Sequence, residues 1–349
     1  MTTTAHRRAS GPRPTADGTG GRQAAGRAPL SGVLWLTWRQ HRLVLGVLLA
    51  GAAATAVWCA VLRGRMAGVI DAHHLAGCSM ISLVPHCADT QEAVIAFRAE
   101  FGSSLKLIET GLFLLPALIG LFIGAPLVAR ELETGTHQLV LTQSVGPLRW
   151  LTAKLALPAA FVLTAVSGLS AVFTWLWQVG GDEVSGAYWY STLGFGALGP
   201  VPVAHSLLGL VVGVLAGLLL RRTVASMAAT LAAMAVVQVA FQQLRPALLP
   251  VATSRFGLGT AVQAPDSGWV QGQGYLTRAG ARLTGDDMGC TPNGDFAACL
   301  RSHDVTGQFL DQHPVSHHWP LAWIESGIVL ALALLVTVLV FRVMRRRHG

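Results

Sequence analysis

The sequence is poor in charge. Only 12% of its 349 residues are Asp, Glu, Lys or Arg, about half of the ~25% usual in soluble domains. Lysine is nearly absent, with Lys106 and Lys154 the only two. The glycines of a G-x-x-x-x-G-K-[ST] loop precede neither of them, so this chain has no P-loop for a nucleotide. It lacks H-E-x-x-H and G-x-S-x-G, and His205 with the serines of the apolar segment 155–179 fits no intramembrane protease pattern. C-x-x-C, the commonest zinc spacing, is missing. Despite a net charge of +8 there is no basic helix face to follow a nucleic acid. No motif asks for a cofactor or supplies a catalytic constellation, so the chain reads as neither an enzyme nor a nucleic-acid binder.

What the sequence has instead is apolar length. Hydrophobic residues make up 52% of the chain and the mean hydropathy is +0.52. Six segments, near 43–62, 108–129, 155–179, 200–220, 223–243 and 321–341, are each long enough to cross a hydrocarbon core of about 30 Å at 1.5 Å per residue. The expected fold class is an all-α polytopic membrane protein: six transmembrane helices, an N-terminal interfacial helix and a small disulfide-containing extracytoplasmic cap. Residues 1–30 carry almost no large apolar side chain and read as a disordered basic tail. Residues 31–42, with Leu34, Trp35 and Trp38 on one face and Arg39, Gln40 and Arg42 on the other, suit the interfacial helix. Trp58, Trp150, Trp175, Trp177, Trp319 and Trp323 fall near span ends, as in an aromatic belt. There is no internal repeat beyond a vague three-plus-three hydropathy.

Charge sets the expected orientation. With the amino terminus inside, the cytoplasmic segments are 1–42, the loop 130–154, residues 221–222 and the basic tail 342–349, and they hold 16 of the 25 Lys and Arg. The other side holds 14 of the 17 acids. Arg63 and Arg65 run against this assignment, but Arg221-Arg222, Asp182-Glu183 and Arg345-Arg346-Arg347 support it. Both termini are therefore expected in the cytoplasm of a bacterial cell.

Two outer loops then follow, 63–107 and 244–320. Cys78 and Cys87 lie in the first, Cys290 and Cys299 in the second, each pair nine residues apart. Local pairs on the oxidising side read as two disulfides. Metal binding with His73, His74, His86 or His303 is the alternative. Gly268–Gly285 alternates like a hairpin, and Phe296–Leu310 suggests a short helix.

Few polar groups lie in the spans. Glu325 sits about 7 Å into the last span, either as a functional group or at headgroup depth. Gln238, Gln242 and Gln243 give the fifth span a polar side, an exit path or a packing contact. Lys106 and Glu109 are spaced to pair locally. Without a chain of acids through the membrane, proton- or sodium-driven transport is not supported.

The most distinctive hydrophilic stretch runs from Arg130 to Lys154. Glu131 and Glu133 are followed by Gly135 and Thr136, then by a short amphipathic run through His137, Leu139, Val140 and Leu141. Thr134 or Thr136 can cap a helix there. An exposed helix with an apolar side needs a surface to pack on, either a partner protein or the membrane.

This stretch, A-P-L-V-A-R-E-L-E-T-G-T-H-Q-L-V-L-T-Q-S-V from Ala125 and R-W-L-T-A-K from Arg149, resembles the membrane subunit of type-2 ABC exporters, in particular an actinobacterial group. T-W-R-Q-H-R at Thr37, L-L-L-R-R-T at Leu218 and P-V-S-H-H-W-P-L-A-W-I-E-S-G at Pro314 extend the resemblance over residues 31–341. His317-His318 departs from it, since relatives tend to have Arg and an aromatic residue. The resemblance implies that Glu131, Glu133, Gly135, Thr136, His137 and Leu139 belong to a coupling helix that docks on a separate ABC-type ATPase chain. It also implies a second permease copy or paralogue, and export of an amphipathic substrate. The competing reading is a membrane sensor or immunity protein whose outer loops bind a ligand without transport.

Overall fold

The computed structural model describes residues 30–80, 85–135, 146–260, 262, 267–290 and 295–348. Six helices among them are long and apolar enough to cross a membrane. α1 spans Leu30–Ala72. α2, Gln91–Ile119, passes through a π-helical turn at Gly120–Gly124 into α3, Ala125–Thr134. α4 covers Pro147–Ser185, and the short α5 covers Thr192–Ala197. α6 is Val201–Leu220 and α7 is Thr223–Leu244. The cap contains β1 (Ala252–Gly257), β2 (Trp269–Thr277), β3 (Arg282–Leu283), α8 (Gly285–Met288), α9 (Phe296–Ser302) and β4 (Val305–His313). α10, His318–His348, closes the chain.

α6 is the axis of the bundle, packed by α2, α3, α4, α7 and α10. Its sequence explains the position. It carries no formally charged residue, and Gly209, Gly213 and Gly217 recur every fourth residue, so all three fall on one face. That face meets Gly120 and Gly124 of the π turn backbone to backbone. A Cβ on Gly209 would lie 2.3 Å from the Pro116 carbonyl oxygen, one on Gly213 2.5 Å from that of Gly120, and one on Gly124 2.4 Å from that of Leu210. Only hydrogen fits at these positions. Pro116 offers no N–H to the helix ladder, and the π turn follows immediately, where a local fault in α-helical bonding is already present. α1 is the most peripheral span and rests mainly on α4.

Several expectations are corrected here. The interfacial helix expected at 31–42 is not a separate element, because α1 runs without interruption from Leu30. Much of the expected first outer loop is helical, since α1 continues to Ala72 and α2 starts at Gln91. Hydropathy marks only the crossing part of a helix, and the polar run Gln91–Lys106 keeps helical spacing. Its Phe97, Phe101 and Leu105 lie in the core beneath the cap. The tail 1–29 and the amphipathic run 136–145 lie outside the described residues.

The cap departs from the all-α character of the membrane part. It holds an antiparallel four-stranded sheet in the order β1-β4-β2-β3. The hairpin expected over Gly268–Gly285 is β2–β3, with Tyr275 opposite Leu283. The helix expected over Phe296–Leu310 stops at Ser302, after which Asp304 takes φ 52° and the chain enters β4. Asp is among the few residues that tolerate a left-handed turn, and β4 then fills the sheet interior with Phe309 and Leu310 buried. Cys78–Cys87 and Cys290–Cys299 are both disulfides, with Cα atoms 5.5 and 6.0 Å apart. Cys59 remains a free, buried thiol.

Candidate functional site

The first cluster lies at the end of the bundle away from the sheet. α3 ends at Thr134, and Gly135 turns the chain in a left-handed conformation (φ 73°). The two acids of the last α3 turn reach different helices. Glu131 pairs with Lys154 of α4, whose side chain is 3% exposed. The Lys154 ammonium also donates to the Leu127 carbonyl at 3.2 Å and sits 4.8 Å from the Trp150 ring centroid. Trp150 is thus buried under this lysine rather than in an outer aromatic belt. Glu133 accepts from both the backbone N–H (2.9 Å) and the hydroxyl (2.7 Å) of Thr223, the first residue of α7. A carboxylate there meets unpaired backbone N–H groups and the positive end of the helix dipole. Arg221, at φ 55°, ends α6 in the turn that delivers Thr223 to this position. The foot of the 135–146 segment is therefore tied to α4 on one side and to α7 on the other. Thr136, His137 and Leu139 fall outside the described residues.

The second cluster lies between the cap and the bundle. Glu325 of α10 is fully buried and holds Arg245 through two hydrogen bonds of 2.8 and 3.1 Å. Arg245 stacks 3.7 Å above the Phe195 ring centroid, and His205 Nε2 of α6 stands 3.8 Å from the Glu325 carboxylate. His205 Nδ1 donates to the Val201 carbonyl at 3.1 Å. Gln238 shares the same small cavity of about 20 Å³ and donates to the Phe113 carbonyl at 2.7 Å. Gln242 stands apart from it and donates to the Thr192 hydroxyl at 2.7 Å. Glu325 thus belongs to a buried ion pair that joins α10 to the end of α7, and the two glutamines tie α7 to its neighbours. Sequence reading missed Arg245 because it follows the apolar run directly and looked like a loop charge. The one available signal was its place as the first basic residue after the fifth span.

Lys106 and Glu109 do not pair. Glu109 turns into the core, 3% exposed, and its Oε1 has no hydrogen-bond partner, while Lys106 stays on the surface. Glu109 shares the core-facing side of the helix with Ile108 and Leu112, and Lys106 falls at the exposed edge of that side.

Cys78, His86 and Cys87 bring ligand-type atoms within 4.8 Å of one another. Both sulfurs are consumed in the disulfide and offer no thiolate to a metal. His303 is engaged with the Met288 carbonyl at 3.1 Å.

The family model described as ABC-2 membrane transporter related matches residues 49–245. The chain belongs to the ABC-2 membrane transporter related family. The match covers Glu131, Glu133, Lys154 and Thr223 and ends on Arg245, while Glu325 lies beyond it. Family membership makes the chain a permease-like membrane component and implies, in general, an ABC-type ATPase as partner. No curated protein and no solved structure matches it.

Proposed function

We propose that this ABC-2 family member is the permease subunit of an ATP-driven exporter. A separate ABC-type ATPase docks on the segment between Gly135 and Gly146. Glu131, Glu133, Gly135, Thr136, His137 and Leu139 form or support that docking element. The observation that carries the reading is the double tie at its foot: Glu131 to Lys154 of α4 and Glu133 to Thr223 of α7. A force on the segment would reach two spans at once, as a subunit driven from outside its own chain requires. ATP hydrolysis belongs to the partner.

In this reading both termini and the Gly135–Gly146 segment face the cytoplasm of a bacterial cell, and the sheet and the two disulfides face outward. The permease works beside a second copy or a paralogue, and the cargo is amphipathic. Impermeant maleimide on intact cells tests the orientation. All four disulfide cysteines should stay unlabelled until reductant is added, and labelling only after the membrane is opened would invert the topology.

The deciding experiment is a pull-down from the host in mild detergent, beside a variant lacking residues 136–145. Recovery of a P-loop ATPase with the intact chain and its loss with the deletion would support docking at this segment. Recovery of the ATPase with both would move the docking site elsewhere. A kinase or regulator in its place would favour a sensor.

A further inference from the structure

A groove of about 590 Å³ opens on the side of the bundle between α4, α6 and α10. Its size is within the ~300–1,000 Å³ of small-molecule sites. All three walls are membrane-crossing helices, so the groove opens toward lipid.

The lining is graded along the membrane normal. At the sheet end stand Gln178, Trp319 and Trp323. Toward the middle of the spans stand Leu163, Leu207 and Leu330. Tryptophans concentrate at the membrane–water boundary, so the polar end lies at the depth of lipid glycerol and ester groups, and the leucine end at the depth of acyl chains.

Ser326 lies between the two ends. It lines the groove, is 1% exposed, and its hydroxyl has no hydrogen-bond partner. Two other hydroxyls of the lining, and one further along α10, are satisfied. Thr174 donates to the Ser170 carbonyl at 2.8 Å, Ser170 donates to the Gly199 carbonyl, and Thr337 on the helix of Ser326 donates to the Ala333 carbonyl at 2.7 Å. A helical serine ordinarily bonds back in this way, and leaving a buried hydroxyl unpaired costs about 1–3 kcal/mol. An acceptor brought in by a ligand would remove that cost.

We propose that this groove is a binding site for one glycerophospholipid of the surrounding bilayer. One acyl chain lies along Leu163, Leu207 and Leu330, and an ester oxygen accepts from Ser326. The gradient from Gln178 and the tryptophans to the leucines follows the order of ester group and acyl chain in a bilayer lipid. The site is separate from the Glu131 and Glu133 ties and does not depend on ATPase docking.

The test uses the full chain in nanodiscs that contain phosphatidylglycerol with a photoreactive diazirine in one acyl chain. Crosslinked peptides should concentrate in 163–178 and 319–330. Ala204→Phe, which fills the groove, should lower that labelling about fivefold and leave labelling of α1 unchanged. Ser326→Ala, which removes only the hydroxyl, should lower it about two- to fivefold. Uniform labelling over the outer faces of α1, α7 and α10 would overturn the proposal and leave only bulk lipid. Protection of the groove in a dimeric fraction would also overturn it, in favour of a second copy.

Discussion

Lys154 and Glu131 form a buried ion pair across α4 and α3, and the lysine is the more enclosed partner at 3% exposure. Among the described residues, its only charged neighbour in hydrogen-bonding reach is Glu131, and its one carbonyl acceptor is Leu127.

Lys154→Ala should therefore destabilise the protein more than a surface charge would. Breaking a buried pair costs about 3–5 kcal/mol, and Glu131 retains some solvent, so the expected loss is about 2–3 kcal/mol. Replacing both, as Lys154→Met with Glu131→Leu, should restore most of it. Thermal unfolding in detergent measures both variants. Equal melting temperatures for the wild type and Lys154→Ala would show that the pair contributes little.

The Arg245–Glu325 pair gives a second prediction. Glu325→Gln leaves a buried guanidinium without its counter-charge and should cost about 3–5 kcal/mol. Arg245→Met with Glu325→Leu should recover stability while leaving His205 without an acid beside it. If the double variant is stable but transports no better than Glu325→Gln, the charge itself serves transport; if it transports normally, the pair is a structural tie between α7 and α10.

The glycine seam separates two kinds of Gly→Ala change. At Gly209 the added methyl would stand 2.3 Å from the Pro116 carbonyl oxygen, and overpacking of this kind costs about 1–3 kcal/mol. At Gly168, in the interior of α4, nothing lies within 4 Å, and Ala should stabilise by up to about 1 kcal/mol through helix propensity. Opposite shifts in melting temperature are expected. A common direction would mean that α2 and α6 do not meet through backbone.

The cap carries its own pH dependence. His313 is fully buried at the end of β4, where its Nε2–H donates to the Pro246 carbonyl at 3.2 Å and its Nδ1 accepts from His317 at 3.1 Å. Burial holds its pKa below the ordinary 6.5, opposed by the Pro246 hydrogen bond and assisted by His317. The unfolded chain therefore takes up the proton first as the medium is acidified. Stability supplied by neutral His313 is complete above about pH 6.5 and declines as pH falls toward the lowered folded value. His313→Gln should flatten melting temperature between pH 7.5 and 5, and an unchanged slope would assign the dependence to other groups.

The sequence was most legible where it was most punctuated. The spans expected at 200–220 and 223–243 appear as Val201–Leu220 and Thr223–Leu244, because Pro200, the Arg221-Arg222 turn and Pro246 leave little room for sliding. The cysteine pairs were readable for a similar local reason. What could not be read was contact between distant segments. The spacing of Gly120 and Gly124, and of Gly209, Gly213 and Gly217, stands in the sequence, but nothing in either run names the other as its partner. The same holds for β1 with β4, and for Arg245 with Glu325 at 80 positions' remove. Glu131 and Glu133 stand out in the sequence for their place in a hydrophilic stretch, whereas their partners, Lys154 and Thr223, follow only from the packing of α4 and α7.

The seam at Gly120–Gly124 divides one continuous 44-residue helical rod, Gln91–Thr134, into unequal arms. The arm toward the cap, Gln91–Ile119, has 29 residues, and the arm toward Glu131 and Glu133 has 10, or about 43 and 15 Å at 1.5 Å per residue. If the rod tilts about the place where α6 presses on its backbone, that place is a fulcrum and the rod a lever with a gain of about three. A displacement of about 1 Å at Thr134 would appear as about 3 Å, in the opposite sense, at Gln91. Arg98 stands on that long arm, with its guanidinium bonded to the Glu183 and Val184 carbonyls at the far end of α4. With such a tilt, a small push at one end of the bundle would become a larger stroke beneath the cap.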